Sequence, residues 1–137
     1  MDNCIFCMIA SGAIPSTSVF EDDDFKVVFD ISPAEKGHLL ILPKKHAANV
    51  TELDADISAK MLILASKLGQ AQMKGLGADG FNIVVNTGEA AGQTVMHCHM
   101  HVIPRFKDKG SLISWKQGSY EDGEAAAYAE KIKGALG

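Results

Sequence analysis

Apolar residues recur at steps of four and three between Thr51 and Lys74, at Ile57, Met61, Leu64, Leu68 and Ala71, and this period predicts one long helix that covers a sheet with a single stripe. Gly75 and Gly77 supply its stop. Elsewhere the pattern changes. Phe25 to Asp30 and His38 to Pro43 are short runs of β-branched, aromatic and aliphatic residues, with turn residues from Ser32 to Gly37 between them, so two antiparallel strands are expected. Phe81 to Asn86 and Val95 to Ile103 read as two more strands, joined by the glycine-bearing loop Thr87 to Thr94. Cys4 to Ser11 predicts a short helix, because Ile5, Phe6 and Ile9 fall at helical spacing and Gly12 stands just past its end. Ile14-Pro15 then leads out extended, and a weakly patterned further helix is expected from Tyr120 to Lys133. Strands grouped around one long helix, not alternating with helices, point to an α+β fold on an antiparallel sheet.

A chain of 137 residues has room for one core, and no repeat or Pro/Gly/Ser-rich linker divides it, so residues 1–137 are expected to form a single domain. The tail, residues 111–137, shifts toward Ala, Glu and Gly and is expected to drape over that domain. With 47% hydrophobic and 22% charged residues the chain can offset its conformational entropy by burial, which excludes wholesale disorder. Thirteen Lys and Arg against seventeen Asp and Glu give a net charge of -4, and no basic block tracks a phosphate backbone, so nucleic acid is not the expected partner. No basic segment precedes an apolar stretch at Met1-Asp2-Asn3-Cys4, and the apolar runs are too short to span a bilayer, so a soluble cytoplasmic protein with no membrane partner is expected. Cys4 and Cys7 form a Cys-x-x-Cys pair too close to staple distant parts of the chain, which favours metal or redox chemistry over a structural disulfide.

The densest chemistry lies in Val95 to Ile103. His97, His99 and His101 alternate with Cys98, Met100 and Val102, so on a strand all three imidazoles share one face, roughly 6.6 Å apart at the backbone. Three readings compete. The rings are ordinary members of an amphipathic strand, or the ligands of a three-histidine metal centre, or a phosphoryl-transfer site in which one neutral imidazole attacks phosphorus while neighbouring N–H groups neutralise its oxygens. The loop just before them, Asn86-Thr-Gly-Glu-Ala-Ala-Gly-Gln-Thr94, offers Gly88 and Gly92 for close backbone approach and the amide and hydroxyl of Gln93 and Thr94. Beside histidines it reads as a phosphate-holding loop rather than a plain connection.

His97-Cys-His-Met-His101-Val-Ile resembles the His-φ-His-φ-His-φ-φ signature of the histidine triad (HIT) family of nucleotide hydrolases and transferases. Asp30-Ile-Ser-Pro33, Gly37-His38, Pro43-Lys-Lys-His46 and Asn86 through Arg105 resemble further family blocks in family order, while the last thirty or so residues lack a sharp match. The resemblance implies a HIT-like fold, with about five antiparallel strands, one long helix and short terminal helices, and a two-fold homodimer.

It also implies roles. His99 becomes the nucleophile at the α-phosphorus of a purine nucleotide or nucleoside phosphoramidate, forming a nucleotidyl-imidazole that water hydrolyses; imidazole suits this because one lone pair is free when the other nitrogen donates. His101 and Thr94 donate to phosphate oxygens or the leaving group, Gln93 and Asn86 position the substrate, Gly92 lets the backbone come close, and His38 supports the site. Asp30 holds the ribose hydroxyls, although by itself it is equally a strand-end residue capping a turn. Ile5, Phe6, Ile14, Val28 and Ile31 line an apolar slot for the base. The same residues serve a dinucleoside polyphosphate hydrolase as well as a phosphoramidate hydrolase.

Cys4 and Cys7 resemble the Cys-x-x-Cys of some triad branches, in which two histidines, by position His46 and His97, complete a zinc site. Two thiolates and two imidazoles make a closed tetrahedral site, structural rather than catalytic, that fastens the N-terminal segment to the sheet. Cys98 is expected to point into the core and to carry no chemistry, and Glu21-Asp-Asp-Asp24 reads as a solvated turn. Two rivals stay open: a zinc-stabilised nucleotide-binding or interaction module with little turnover, and a metal-dependent hydrolase that uses the three histidines as ligands.

Overall fold

Among the described residues, 3–137 of the computed structural model, the chain forms five strands and three α-helices. Met1 and Asp2, which open the stretch read for a leader, lie outside them. In chain order the elements are α1 (Ile5–Ser11), β1 (Ser18–Glu21), β2 (Phe25–Phe29), β3 (Leu39–Pro43), α2 (Ala55–Leu76), β4 (Gly80–Val84), β5 (Met100–Arg105) and α3 (Glu124–Ala135). The sheet runs β1-β2-β3-β5-β4, and every neighbouring pair is antiparallel.

The unbroken apolar run of β3 follows from its central place. Leu39 and Ile41 face α2 with Val27 and Val102, while Leu40 and Leu42 face α1 with Val28. Both faces of the middle strand are therefore covered. Met61, Ala65 and Leu68 of α2 complete the larger cluster, and burying a side chain such as Met61, Ile41 or Phe25 contributes about 1.5–3 kcal/mol. α1 stops at Gly12, whose φ of +86° is a left-handed cap that glycine adopts without strain. The acidic run is the solvated turn expected of it: Asp22 Oδ1 accepts the backbone N–H groups of Asp24 and Phe25 at 2.9 and 2.7 Å.

Three expectations are corrected. β1 was not marked by any apolar alternation, because all four of its residues are exposed on this edge strand. The histidine strand begins at Met100, not Val95: residues 95–97 bend, and the Cys98 N–H leaves the sheet ladder to bond the Ala47 carbonyl at 2.7 Å. The tail does not drape over the sheet, since no residue of α3 is buried and Tyr128, Ile132 and Leu136 stay exposed. Among the described residues no helix is long and apolar enough to cross a membrane.

Candidate active site

A cavity of about 430 Å³ opens between α1 and the sheet. Ile5, Phe6 and Ile9 of α1 form one wall, Ile14 and residues 15–17 the rim, and Val28, Phe29 and Leu40 the floor. Asp30, Thr94, His99 and His101 bring polar groups to this otherwise apolar space. All five residues expected to grip a base, Ile5, Phe6, Ile14, Val28 and Ile31, line it, with Ile31 at the mouth and 98% exposed. Ile9, Phe29, Leu40, Val95 and residues 15–17 were missed; only Ile9, four residues after Ile5 on α1, carried a signal.

Hydrogen bonds assign a tautomer to each ring of the site in its neutral form. The backbone N–H of Ala34 donates to His38 Nδ1 at 3.1 Å, so the His38 proton resides on Nε2. That proton faces His101 Nδ1 at 2.9 Å, which makes Nδ1 of His101 an acceptor and puts its own proton on Nε2, on a ring that lines the cavity. Asp30 Oδ2 stands 3.6 Å from His38 Nε2, and Asp30 Oδ1 accepts the Ser32 N–H at 2.8 Å. Asp30 thus caps a turn and faces the cavity at once.

Burial holds this pair neutral. It pushes His101 down to about 4, helped by the neighbouring His99 and His38 rings and opposed by Asp30, and it lowers His38 with Asp30 again opposing. His99 is built the other way round. Its Nδ1 donates to the His97 carbonyl at 2.8 Å, since a carbonyl can only accept, so in the neutral ring Nε2 carries the lone pair. The Phe6 ring meets His99 edge-on with centroids 4.8 Å apart. The cavity therefore receives an N–H donor from His101 and a lone pair from His99.

His97 belongs to a different group. Its Nε2 donates to the Pro43 carbonyl at 2.8 Å, its ring is fully buried, and Nδ1 turns toward two thiols and a second imidazole. Burial lowers its basicity against that Pro43 bond, with the His46 and His99 rings adding to the decrease. Nδ1 lies 3.4 Å from Cys4 Sγ, 3.4 Å from Cys7 Sγ and 3.2 Å from His46 Nδ1, while Cys7 Sγ and His46 Nδ1 are 3.3 Å apart. Tetrahedral zinc with ordinary bond lengths spaces a sulfur and a nitrogen about 3.5 Å apart and two nitrogens about 3.3 Å apart. The donor set and its spacing fit that ion, with Pro43 as the outer partner that turns the His97 lone pair inward. Among the described residues, the three triad rings form no common ligand group.

Three expected substrate contacts are placed differently. Gln93 is buried, and its amide is spent within the protein: Oε1 accepts the Gly88 N–H at 3.0 Å, and Nε2 donates to the carbonyls of Ala48 at 2.6 Å and Val95 at 2.9 Å. It braces the loop that carries Thr94 instead of reaching into the cavity. Gly92, at φ +99°, ends the turn Glu89–Ala91, and Asn86 packs beside it; neither lines the cavity. Cys98 is buried in the main core, and burial raises its thiol to about 11, as befits a residue with no chemistry.

The sequence pattern of the HIT domain family matches residues 11–108. A crystal structure of SMU.412c from Streptococcus mutans UA159 superposes with a TM-score of 0.92 at 39% identity, covering 100% of this chain and 87% of that one. Adenosine 5'-monophosphoramidase of Schizosaccharomyces pombe is 34% identical over 135 residues, 98% of either protein. A zinc-bound histidine triad family protein from Mycobacterium smegmatis has a TM-score of 0.76 at 34% identity, with 98% of this chain and 99% of that one covered.

Proposed function

The chain belongs to the HIT domain family, and on that premise we propose that it hydrolyses nucleoside phosphoramidates at the α-phosphate through a covalent nucleotidyl bond to Nε2 of His99. One observation carries the reading: the 2.8 Å bond from His99 Nδ1 to the His97 carbonyl leaves Nε2 with a lone pair on a ring that lines the cavity.

The nucleotide lies with its base between Ile5, Phe6, Ile14 and Val28, where burial and shape supply the grip. The Asp30 carboxylate accepts from the ribose hydroxyls at the cavity wall. His99 Nε2 attacks the α-phosphorus, a nitrogen–phosphorus bond forms, and the bond to the leaving nitrogen breaks as that nitrogen takes up a proton from solvent and departs as the amine. The Nε2–H of His101 and the Thr94 hydroxyl donate where negative charge grows on phosphorus or on the departing nitrogen. His38 acts behind His101, its Nε2–H holding the His101 proton on the cavity side. Water then attacks the same phosphorus, the bond to Nε2 breaks, a proton passes to solvent, and a nucleoside monophosphate leaves. Cys4, Cys7, His46 and His97 are the residues that would hold zinc, which when bound would supply a closed structural crosslink between α1 and the segment ahead of β5.

Incubating the protein with an adenosine phosphoramidate and, in parallel, a diadenosine polyphosphate tests this. The wild type releases AMP and, quenched in denaturant, carries an adenylyl group on the peptide containing His99. His99→Ala loses about a thousandfold or more in turnover while still binding AMP. Equal turnover by the variant sinks the mechanism; faster cleavage of the diadenosine compound moves the substrate to dinucleoside polyphosphates. AMP binding with no turnover of either compound favours a nucleotide-binding module.

A further inference from the structure

Two of the contacts that orient the His99 ring come from residues tied to the sulfur–imidazole cluster; the third, the His101 ring edge-on at 5.1 Å between centroids, does not. The carbonyl that accepts from His99 Nδ1 belongs to His97, whose own ring enters the cluster. The aromatic edge against His99 belongs to Phe6, which sits between Cys4 and Cys7 in sequence and lies 6.0 Å from the His97 ring as well.

Neither support stands firmly alone. α1 has seven residues, too few for a helix to hold itself in water, and its hold on the sheet is Phe6 and Ile9 against Val28, Leu40 and Leu42 plus the two thiols. His97 lies in the bend at residues 95–97, off the strand ladder, so its carbonyl direction depends on what its side chain grips: the Pro43 carbonyl on one nitrogen and the cluster on the other. Cys4 and His46 line an adjoining cleft of about 430 Å³ with Asn3, Thr94 and Met96, so solutes reach the cluster without passing through the nucleotide cavity.

We propose that the Cys4–Cys7–His46–His97 cluster sets the tautomer and orientation of the His99 imidazole, with His97 and Phe6 as the positioning residues that carry its effect. The inference rests on His99 being the reactive group, but it concerns a property of the free protein. With the cluster closed on a divalent metal, the His97 carbonyl and the Phe6 edge hold His99 with Nδ1 protonated. With it open, the bend and α1 loosen together, and the ring samples both tautomers and other orientations.

The test uses full-length protein with ¹⁵N-labelled histidine, loaded with zinc, then treated with a chelator, then resupplied with zinc alone. In the loaded wild type, the His99 nitrogens report one protonated Nδ1 and one bare Nε2. Chelation, or Cys7→Ser, moves both toward averaged values and slows single-turnover adduct formation about tenfold, a loss of about 1.4 kcal/mol in transition-state stabilisation. Zinc restores the wild type and not the variant. Phe6→Leu, which keeps both thiols and the bound zinc, moves the His99 ring-nitrogen signals toward averaged values and slows adduct formation at saturating substrate, beyond any loss of AMP affinity from its place in the base slot, and Phe6→Tyr restores both. Chelated wild type and Phe6→Leu decide the matter even where Cys7→Ser does not fold. Ring-nitrogen signals unchanged by removal of bound zinc, or failure of zinc to bind, overturn the coupling. If the loaded wild type forms no adduct at all, the proposed activity fails, and the ring-nitrogen comparison still judges the cluster.

Discussion

Gln93→Glu changes one atom type in a side chain that makes three hydrogen bonds within the loop ahead of the histidines and to Ala48. The amide Nε2 donates to Ala48 O at 2.6 Å and Val95 O at 2.9 Å, and a carboxylate in its place sets oxygen against oxygen at both contacts. The bond from the Gly88 N–H to Oε1, at 3.0 Å, survives. Each carbonyl stripped of its donor in a buried setting costs about 1–3 kcal/mol, so two cost about 4 kcal/mol, a large share of the 5–15 kcal/mol that holds a typical domain together. Protonating the new carboxyl returns one donor, and burial favours that neutral form, so the folded pKa rises above the unfolded value of about 4.3. A raised folded pKa means that the neutral form's stability is fully present below the unfolded value and is lost as pH climbs through the folded one, at up to about 1.4 kcal/mol per unit. Urea unfolding of variant and wild type at pH 5, 6, 7 and 8 therefore shows the gap widening with pH. Had the amide touched the phosphate, a carboxylate there would repel an anionic substrate and raise KM without lowering stability. A variant as stable as wild type at pH 7 but defective in substrate binding refutes the brace.

Other perturbations have equally definite outcomes. Gly69→Ala places a Cβ against the Phe81 ring where α2 meets β4, and overpacking of this kind costs about 1–3 kcal/mol, read as a lower urea midpoint. Iodoacetamide labels Cys4 and Cys7 of the metal-free native protein, both half-buried, but labels Cys98 only after unfolding, because its thiol is buried and raised to about 11; native labelling of Cys98 contradicts its place in the core. His101, depressed in the fold to about 4 against about 6.5 unfolded, contributes stability that is present above pH 6.5 and is lost as pH falls toward 4. His101→Gln therefore loses less stability than the wild type over that window, and parallel acid profiles exclude the assignment.

What the chain disclosed in advance followed its periodicities. The 3.6-residue stripe of α2 and the aliphatic run of β3 each describe a face buried on something, and burial writes itself into composition. β1 escaped because an exposed edge strand needs no apolar alternation. The cavity wall at Ile5 and Phe6 was legible because resemblance supplied positions that periodicity leaves ambiguous between core and cavity. The sequence marks Gln93 as a polar group beside the histidines but not what it bonds: an amide can meet a phosphate or three backbone groups with the same chemistry, and only the 2.6 Å approach to Ala48, 45 residues away, separates the two. Long-range partners of this kind leave no local trace.

The histidines give the sharpest instance. Period two placed three imidazoles on one face, yet the strand begins only at Met100, and the bend before it turns His97 toward Cys4, Cys7 and His46. Spacing by two still matters, because His97 must present its carbonyl to the ring two residues on, which it does at 2.8 Å. His101, on the strand proper, takes its tautomer from His38 across the β3–β5 pair, where the register sets Leu40 opposite it and His38 just ahead of the strand. Each of the alternating rings thus receives its proton placement from a different source: a proline carbonyl for His97, a histidine carbonyl for His99, a histidine side chain for His101. A uniform strand could not deliver three environments, since its ladder spends every backbone group on its neighbours. The departure from regular structure at residues 95–97 frees the His97 carbonyl, and that freedom turns an amphipathic pattern into one lone pair and one N–H facing the same cavity.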